Sequence, residues 1–111
     1  MTRKEAKELS LEVWRYLAGH PEIRGKKALP LTLFRKIRDI PCHCPLCGLF
    51  IATGSSYRDC PGCPLSGGGY YCGSDGHPYD RWNCSLSRET GVRKEAAEEI
   101  VRVIEAWEAE E

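Results

Sequence analysis

Long apolar runs are missing from this sequence. No uninterrupted apolar segment approaches the roughly 18 residues of a membrane-spanning helix, so a helical span is excluded. A secretory signal is missing too: Met1-Thr2-Arg3-Lys4 leads directly into a charged amphipathic stretch rather than an apolar core. The expected compartment is therefore a reducing cytosol. Large apolar side chains are scarce, with two phenylalanines and one methionine in 111 residues. Chains this short with so thin a core commonly need a disulfide or a metal as a staple. Net charge is also absent, since 16 Lys/Arg balance 16 Asp/Glu. Overall neutrality argues against a broad nucleic-acid binder but leaves room for a basic face.

Catalytic motifs are equally sparse. The three histidines, His20, His43 and His77, are scattered, so the adjacent histidines of a metal-dependent nuclease are missing. The complete His/Cys-x-Glu…Pro-Cys-x-x-Cys signature of a zinc deaminase is not present. Ser66-Gly-Gly-Gly69 lacks the Gly-Lys-Ser/Thr ending of a phosphate-binding loop and reads as a plain loop. Cys42 beside His43 is a weak nucleophile–base pair, because adjacent residues rarely point toward one another.

What the sequence does have is cysteine. All seven lie within residues 42–84, together with most of the glycines and prolines. Such a composition cannot build a conventional core, so it must be organised around something else. Amphipathic helices are expected on either side. The first spans residues 3–18, where Thr2 and Glu5 match a capping box and Ala6, Leu9, Val13, Trp14 and Leu17 share one face. Gly19 and Pro21 stop it. The last spans 92–108, with Ala96, Ala97, Ile100, Val101, Val103, Ile104 and Trp107 as its apolar stripe. Residues 19–41 form a connector in which Leu31 to Ile40 fits either a short helix begun by Pro30 or a strand. The whole reads as one metal-stabilised, α-rich (α+β) domain over 1–111, with the two helices packed together and a zinc-knuckle or zinc-ribbon-like region at 42–84.

The cysteine spacing carries the strongest signal. Cys44-Pro-Leu-Cys47 is followed after twelve residues by Cys60-Pro-Gly-Cys63. Each tight turn brings two thiolates to one ion, and two such turns complete a tetrahedral four-sulfur zinc site. Gly48 suits the turn after Cys47. An iron–sulfur cluster, a redox disulfide and two buried cysteine pairs are the competing readings. A second metal site would draw on Cys72, His77 and Cys84 with Cys42 or His43; otherwise Cys42 and Cys84 are spare thiols.

Two further groups of residues stand out. Arg24, Lys26, Lys27, Arg35, Lys36 and Arg38 concentrate positive charge, and residues 1–45 carry ten Lys/Arg against five Asp/Glu. Residues 89–111 carry three against eight, so the two ends attract each other or expose opposite faces. Tyr79, Arg81 and Trp82 follow a turn at Asp75-Gly76. They read either as packing over the metal loop or as a partner-binding hot spot. His20 reads as a helix-end cap, and Trp14 and Trp107 as core residues joining the two helices.

The order of an amphipathic helix, Cys44-Pro-Leu-Cys47, Cys60-Pro-Gly-Cys63-Pro64-Leu65, Cys72, Pro78-Tyr79 with Trp82, and a closing helix resembles small cysteine-rich zinc-finger proteins of bacteriophages and prophages. The resemblance implies a bacterial host cytoplasm and a zinc held by Cys44, Cys47, Cys60 and Cys63, with Cys72 as an added candidate. Cys42, His43 and Cys84 depart from that pattern. The resemblance supplies no activity. An all-cysteine site leaves no open coordination position, so the expected role is non-catalytic. A zinc-stabilised adaptor or inhibitor of a host or phage protein leads, and a nucleic-acid-binding protein using residues 24–38 follows.

Overall fold

The computed structural model describes residues 2–40, 78–85 and 88–107. Four helices make up this part: α1 (Arg3–Gly19), α2 (Leu31–Phe34), α3 (Pro78–Asn83) and α4 (Thr90–Ala106), with a 3-10 turn at Lys26–Ala28. Every regular element among the described residues is helical, and the two long helices pack together. No helix here is long and apolar enough to cross a membrane.

Helix α1 starts as its sequence dictates. The Glu5 N–H donates to Thr2 Oγ1 at 3.1 Å, and the Thr2 N–H donates to Glu5 Oε1 at 3.0 Å. Two of the unsatisfied donors at the helix start are thereby met. Ala6, Ser10, Val13, Trp14 and Leu17 form its buried face, at spacings that keep one stripe inward. The end differs from expectation. The helix runs through Gly19, and His20 is the C-cap, with its N–H donating to the Leu17 carbonyl at 3.2 Å. The His20 ring stacks on Tyr16 at 3.9 Å, and Nδ1–H donates to the Tyr16 carbonyl at 2.9 Å. A side chain, rather than a left-handed glycine, satisfies the last turn.

Helix α4 runs antiparallel to α1, as its polar contacts show. Lys7, near the start of α1, donates to the carbonyls of Glu105 and Trp107 at 3.0 and 2.6 Å. Arg93, near the start of α4, donates to the Pro21 carbonyl at 2.5 Å. Lys7 thus places a cation at the negative end of α4, where it is favoured. The core unites Ala6, Val13, Trp14 and Leu17 with Ala96, Ala97, Ile100 and Ile104. Three alanines in this set let two helices approach closely. Leu29, Leu33, Ile37 and Trp82 complete the core from the shorter elements.

The connector resolves in favour of helix. Leu33 and Phe34 N–H groups both donate to Pro30, and i−3 and i−4 bonds continue to Ile40. Pro30 suits the position before the first turn, and Leu33 and Ile37 then fall inward one turn apart. Within the region assigned to metal loops at 42–84, only residues 78–84 are described. Residues 78–83 are helix α3 and belong to the helical body, begun by Pro78 at a position where a missing N–H costs nothing. The last helix begins two residues before the expected 92 and ends at Ala106, because Trp107 turns to extended backbone.

The capping box makes stability depend on pH in a defined direction. The Thr2 backbone N–H, and then its hydroxyl, hold the Glu5 carboxyl below its ordinary value of 4.5. The ionised form is therefore favoured in the fold. Its contribution is complete above 4.5 and is lost as pH falls through the lower folded value. Glu5→Gln keeps the box but not the charge. The melting-midpoint advantage of the wild type over Glu5→Gln should hold constant at neutral pH and shrink as pH falls below 4.5. A difference that grows on acidification would contradict the assignment.

Candidate metal centre and basic face

Cys44, Cys47, Cys60 and Cys63 lie outside the described residues, as do Cys42, His43, Cys72 and His77. Cys84 is the one candidate ligand that is described. It follows α3 directly, is exposed, and its Sγ lies 3.4 Å from Asp80 Oδ1. Among the described residues no group of three or more His, Cys, Asp or Glu is placed to hold a metal. A site using Cys84 would therefore need ligands from outside the described residues.

The described residues fix where that segment leaves and re-enters. On the leaving side Ile37 is fully buried and Ile40 packs against the core. On the re-entering side Trp82 is 2% exposed and Tyr79 packs beside it. Both aromatic residues meet Trp14 of α1 edge to face, Tyr79 at 6.0 Å and Trp82 at 5.1 Å between ring centroids. Such geometry is worth about 0.5–1.5 kcal/mol per pair beyond area burial. Trp82 thus lies in the core with Tyr79 half-buried against it, because three-residue spacing on α3 sets both on one inward face. Arg81 pairs with Glu99 of α4 and fastens the same helix from outside.

A second fastening was not visible in the sequence reading. Arg93 is 1% exposed, and its Nη1 donates to Ser85 Oγ at 3.1 Å. Ser85 Oγ in turn donates to the Trp82 carbonyl at 2.7 Å. Together with the Pro21 bond, one guanidinium joins the connector, the end of α3 and α4. A signal existed: Arg93 stands four, seven and eleven positions before Ala97, Ile100 and Ile104, in register with the apolar stripe. A charge on that register is either an error of phase or a buried polar joint, and here it is the latter.

The basic segment is dispersed by the fold. Lys26 is only 7% exposed, and its Nζ lies 5.2 Å from the Trp14 ring centroid and 5.1 Å from that of Tyr79. Its ammonium is committed to two aromatic faces, a favourable cation–π geometry. Lys26 therefore does not belong to an exposed basic face. Lys36 donates to Glu12 of α1 at 3.1 and 3.3 Å. Arg38 lies 3.6 Å from its neighbour Asp39. Arg24, Lys27 and Arg35 are exposed.

No protein-family model, curated protein or solved structure matches this chain.

The aromatic placement of Lys26 separates two adjacent lysines. Lys26→Ala should lower unfolding free energy by about 1–2 kcal/mol, through lost cation–π contact and lost stem packing. Lys27→Ala, at an exposed position, should stay within about 0.5 kcal/mol of wild type. Urea titrations of both variants read this directly, and equal midpoints would remove Lys26 from the core.

Proposed function

We propose that this protein is a non-catalytic, zinc-stabilised binding module that acts on another protein. The observation that carries the reading is the pair of CxxC sequences set between two ends that one helical core holds fast. Cys44, Cys47, Cys60 and Cys63 would hold the ion, and the donor set suits zinc: four thiolates saturate a tetrahedral ion. When bound, zinc supplies a structural crosslink there, with no open position for water or substrate. An iron–sulfur cluster on the same thiolates is the competing cofactor. Cys72, His77, Cys84 and Cys42 remain the candidates for a second ion.

A zinc crosslink and a helical frame together would hold loop surfaces in one conformation, which is what an adaptor or inhibitor requires. The phage-type resemblance of the cysteine layout supports a target within host or phage machinery of transcription, replication or defence, in a bacterial cytoplasm. The rival reading, nucleic-acid binding through residues 24–38, draws on the exposed Arg24, Lys27 and Arg35. It is weakened by the burial of Lys26 and by the Lys36–Glu12 pair.

Elemental analysis with an absorption spectrum tests the metal. About one zinc per chain is expected in colourless protein, lost in Cys44→Ser plus Cys60→Ser together with a lowered melting midpoint. Colour and bound iron would transfer the site to redox chemistry, and metal-free, fully folded protein would end the zinc reading. For duplex DNA, no affinity tighter than about 10⁻⁶ M at physiological salt is expected. Sub-micromolar, salt-sensitive binding lost in Lys27→Glu plus Arg35→Glu would promote the rival.

A further inference from the structure

The outer side of residues 31–38 combines an exposed leucine with arginines. This stretch is bonded as successive helical turns: the Arg35 N–H donates to the Leu31 carbonyl and the Arg38 N–H to the Phe34 carbonyl, both at 2.9 Å. Leu33 and Ile37 point into the core. Offsets of four and seven from Leu31 place Arg35 and Arg38 on its face, away from that core. Leu31 is 60% exposed, and the only other large hydrophobic residue so exposed among the described residues is Val92, at 44%. Arg24 and Lys27 are exposed in the stretch of chain just before it. Among the described residues Arg24, Lys27 and Arg35 make no ion pair. Among the described residues the ion-pair partner of Arg38 is the adjacent Asp39, a surface contact that other carboxylates displace at little cost.

Charge and polarity together select the occupant. Uncompensated guanidinium groups favour an acidic ligand, and their planar donors match carboxylates in pairs. Leu31 decides between macromolecules. Contacts to a phosphate backbone need no apolar residue at the centre of the face, whereas an amphipathic peptide buries one while pairing its flanking carboxylates. Lys26 and Lys36 are turned away to Trp14 and Glu12, so the cations left outward are Arg35 and Arg38 on the leucine's face and Arg24 and Lys27 just before it in the chain.

We propose that Leu31, Arg35 and Arg38, flanked by Arg24 and Lys27, form a docking face for an acidic amphipathic segment of a partner protein. Leu31 is the apolar anchor, and the cations fix the register of the segment's carboxylates. This rests on the binding-module reading and adds to it the surface used and the chemistry of the partner. A single short helical face gives fast, salt-sensitive association rather than a permanent complex.

Fluorescence anisotropy on the metal-loaded full chain tests it. The probe is a labelled helical peptide of about four turns with glutamates flanking a central leucine. Comparison probes are the same peptide with serine for that leucine, and single-stranded DNA of equal charge. The leucine peptide should bind tightest. Leu31→Ser should weaken it about tenfold, Arg35→Glu at least as much, and Val92→Ser not at all. Thermal melts confirm that each variant is folded. Equal binding of both peptides, indifference to Leu31→Ser, or preference for DNA would overturn the proposal. Self-association abolished by Leu31→Ser would instead assign the face to a second copy. Zinc content of the same samples separates the two levels. Zinc-loaded protein that ignores the peptide overturns this face alone, and metal-free protein overturns the module reading while leaving the peptide result to stand.

Discussion

Trp14 touches parts of the chain that the sequence keeps far apart. Its ring meets Tyr79 and Trp82 edge to face and takes the ammonium of Lys26 over its surface. Helix α1, the connector and α3 are thereby joined at one side chain. The joint holds the re-entering end of residues 41–77 against the same core that holds the leaving end through Ile37. Closing any chain of that length between fixed ends costs about 3 kcal/mol on a loop-entropy argument. Full burial of one large apolar side chain offsets about 1.5–3 kcal/mol. Ile37 and Trp82, one on each side, therefore offset a cost of comparable size.

That arrangement gives the two parts of the protein separate tasks. The antiparallel pair α1 and α4, locked by Lys7 at one end and Arg93 at the other, supplies a rigid frame. The cysteine-rich segment is held by its ends, and a four-thiolate zinc site would organise it internally. On the proposed reading, binding surfaces would lie on two distinct supports, a metal-organised segment and the outer side of the connector. The connector is presented firmly because Leu29, Leu33 and Ile37 are buried beneath it and Lys36 braces it to Glu12.

Much of the frame was legible in the sequence because local rules decide it. The Thr2–Glu5 box and the α1 stripe act over three to four residues, and neighbouring side chains suffice to specify them. The α4 stripe was equally plain, although its ends moved by two residues because no strong cap marks them. Helix α3 was missed. It has six residues, too few for periodicity to appear, and it exists because Trp82 finds Trp14 across the fold. The choice between helix and strand at 31–40 had the same character, since Leu33 and Ile37 needed a core to face before the turn pattern could win. Of the candidate metal ligands only Cys84 falls among the described residues, so the metal reading still stands on the spacing of the cysteines.

By itself the sequence determined the two long amphipathic helices, the capping of the first, the concentration of cysteines between them and the spacing that suits a tetrahedral ion. These are properties of residues close together along the chain. Only the tertiary structure decided what becomes of the basic segment. Six cations that look equivalent in sequence divide into one buried over aromatic rings, one bound to α1, one beside its neighbouring aspartate and three left outward. It also decided that Arg93 is a buried joint, and that Tyr79 and Trp82 pack inward. A long polar side chain has no fixed partner until distant elements arrive, and the energy of burying it depends on which acceptors or ring faces they bring.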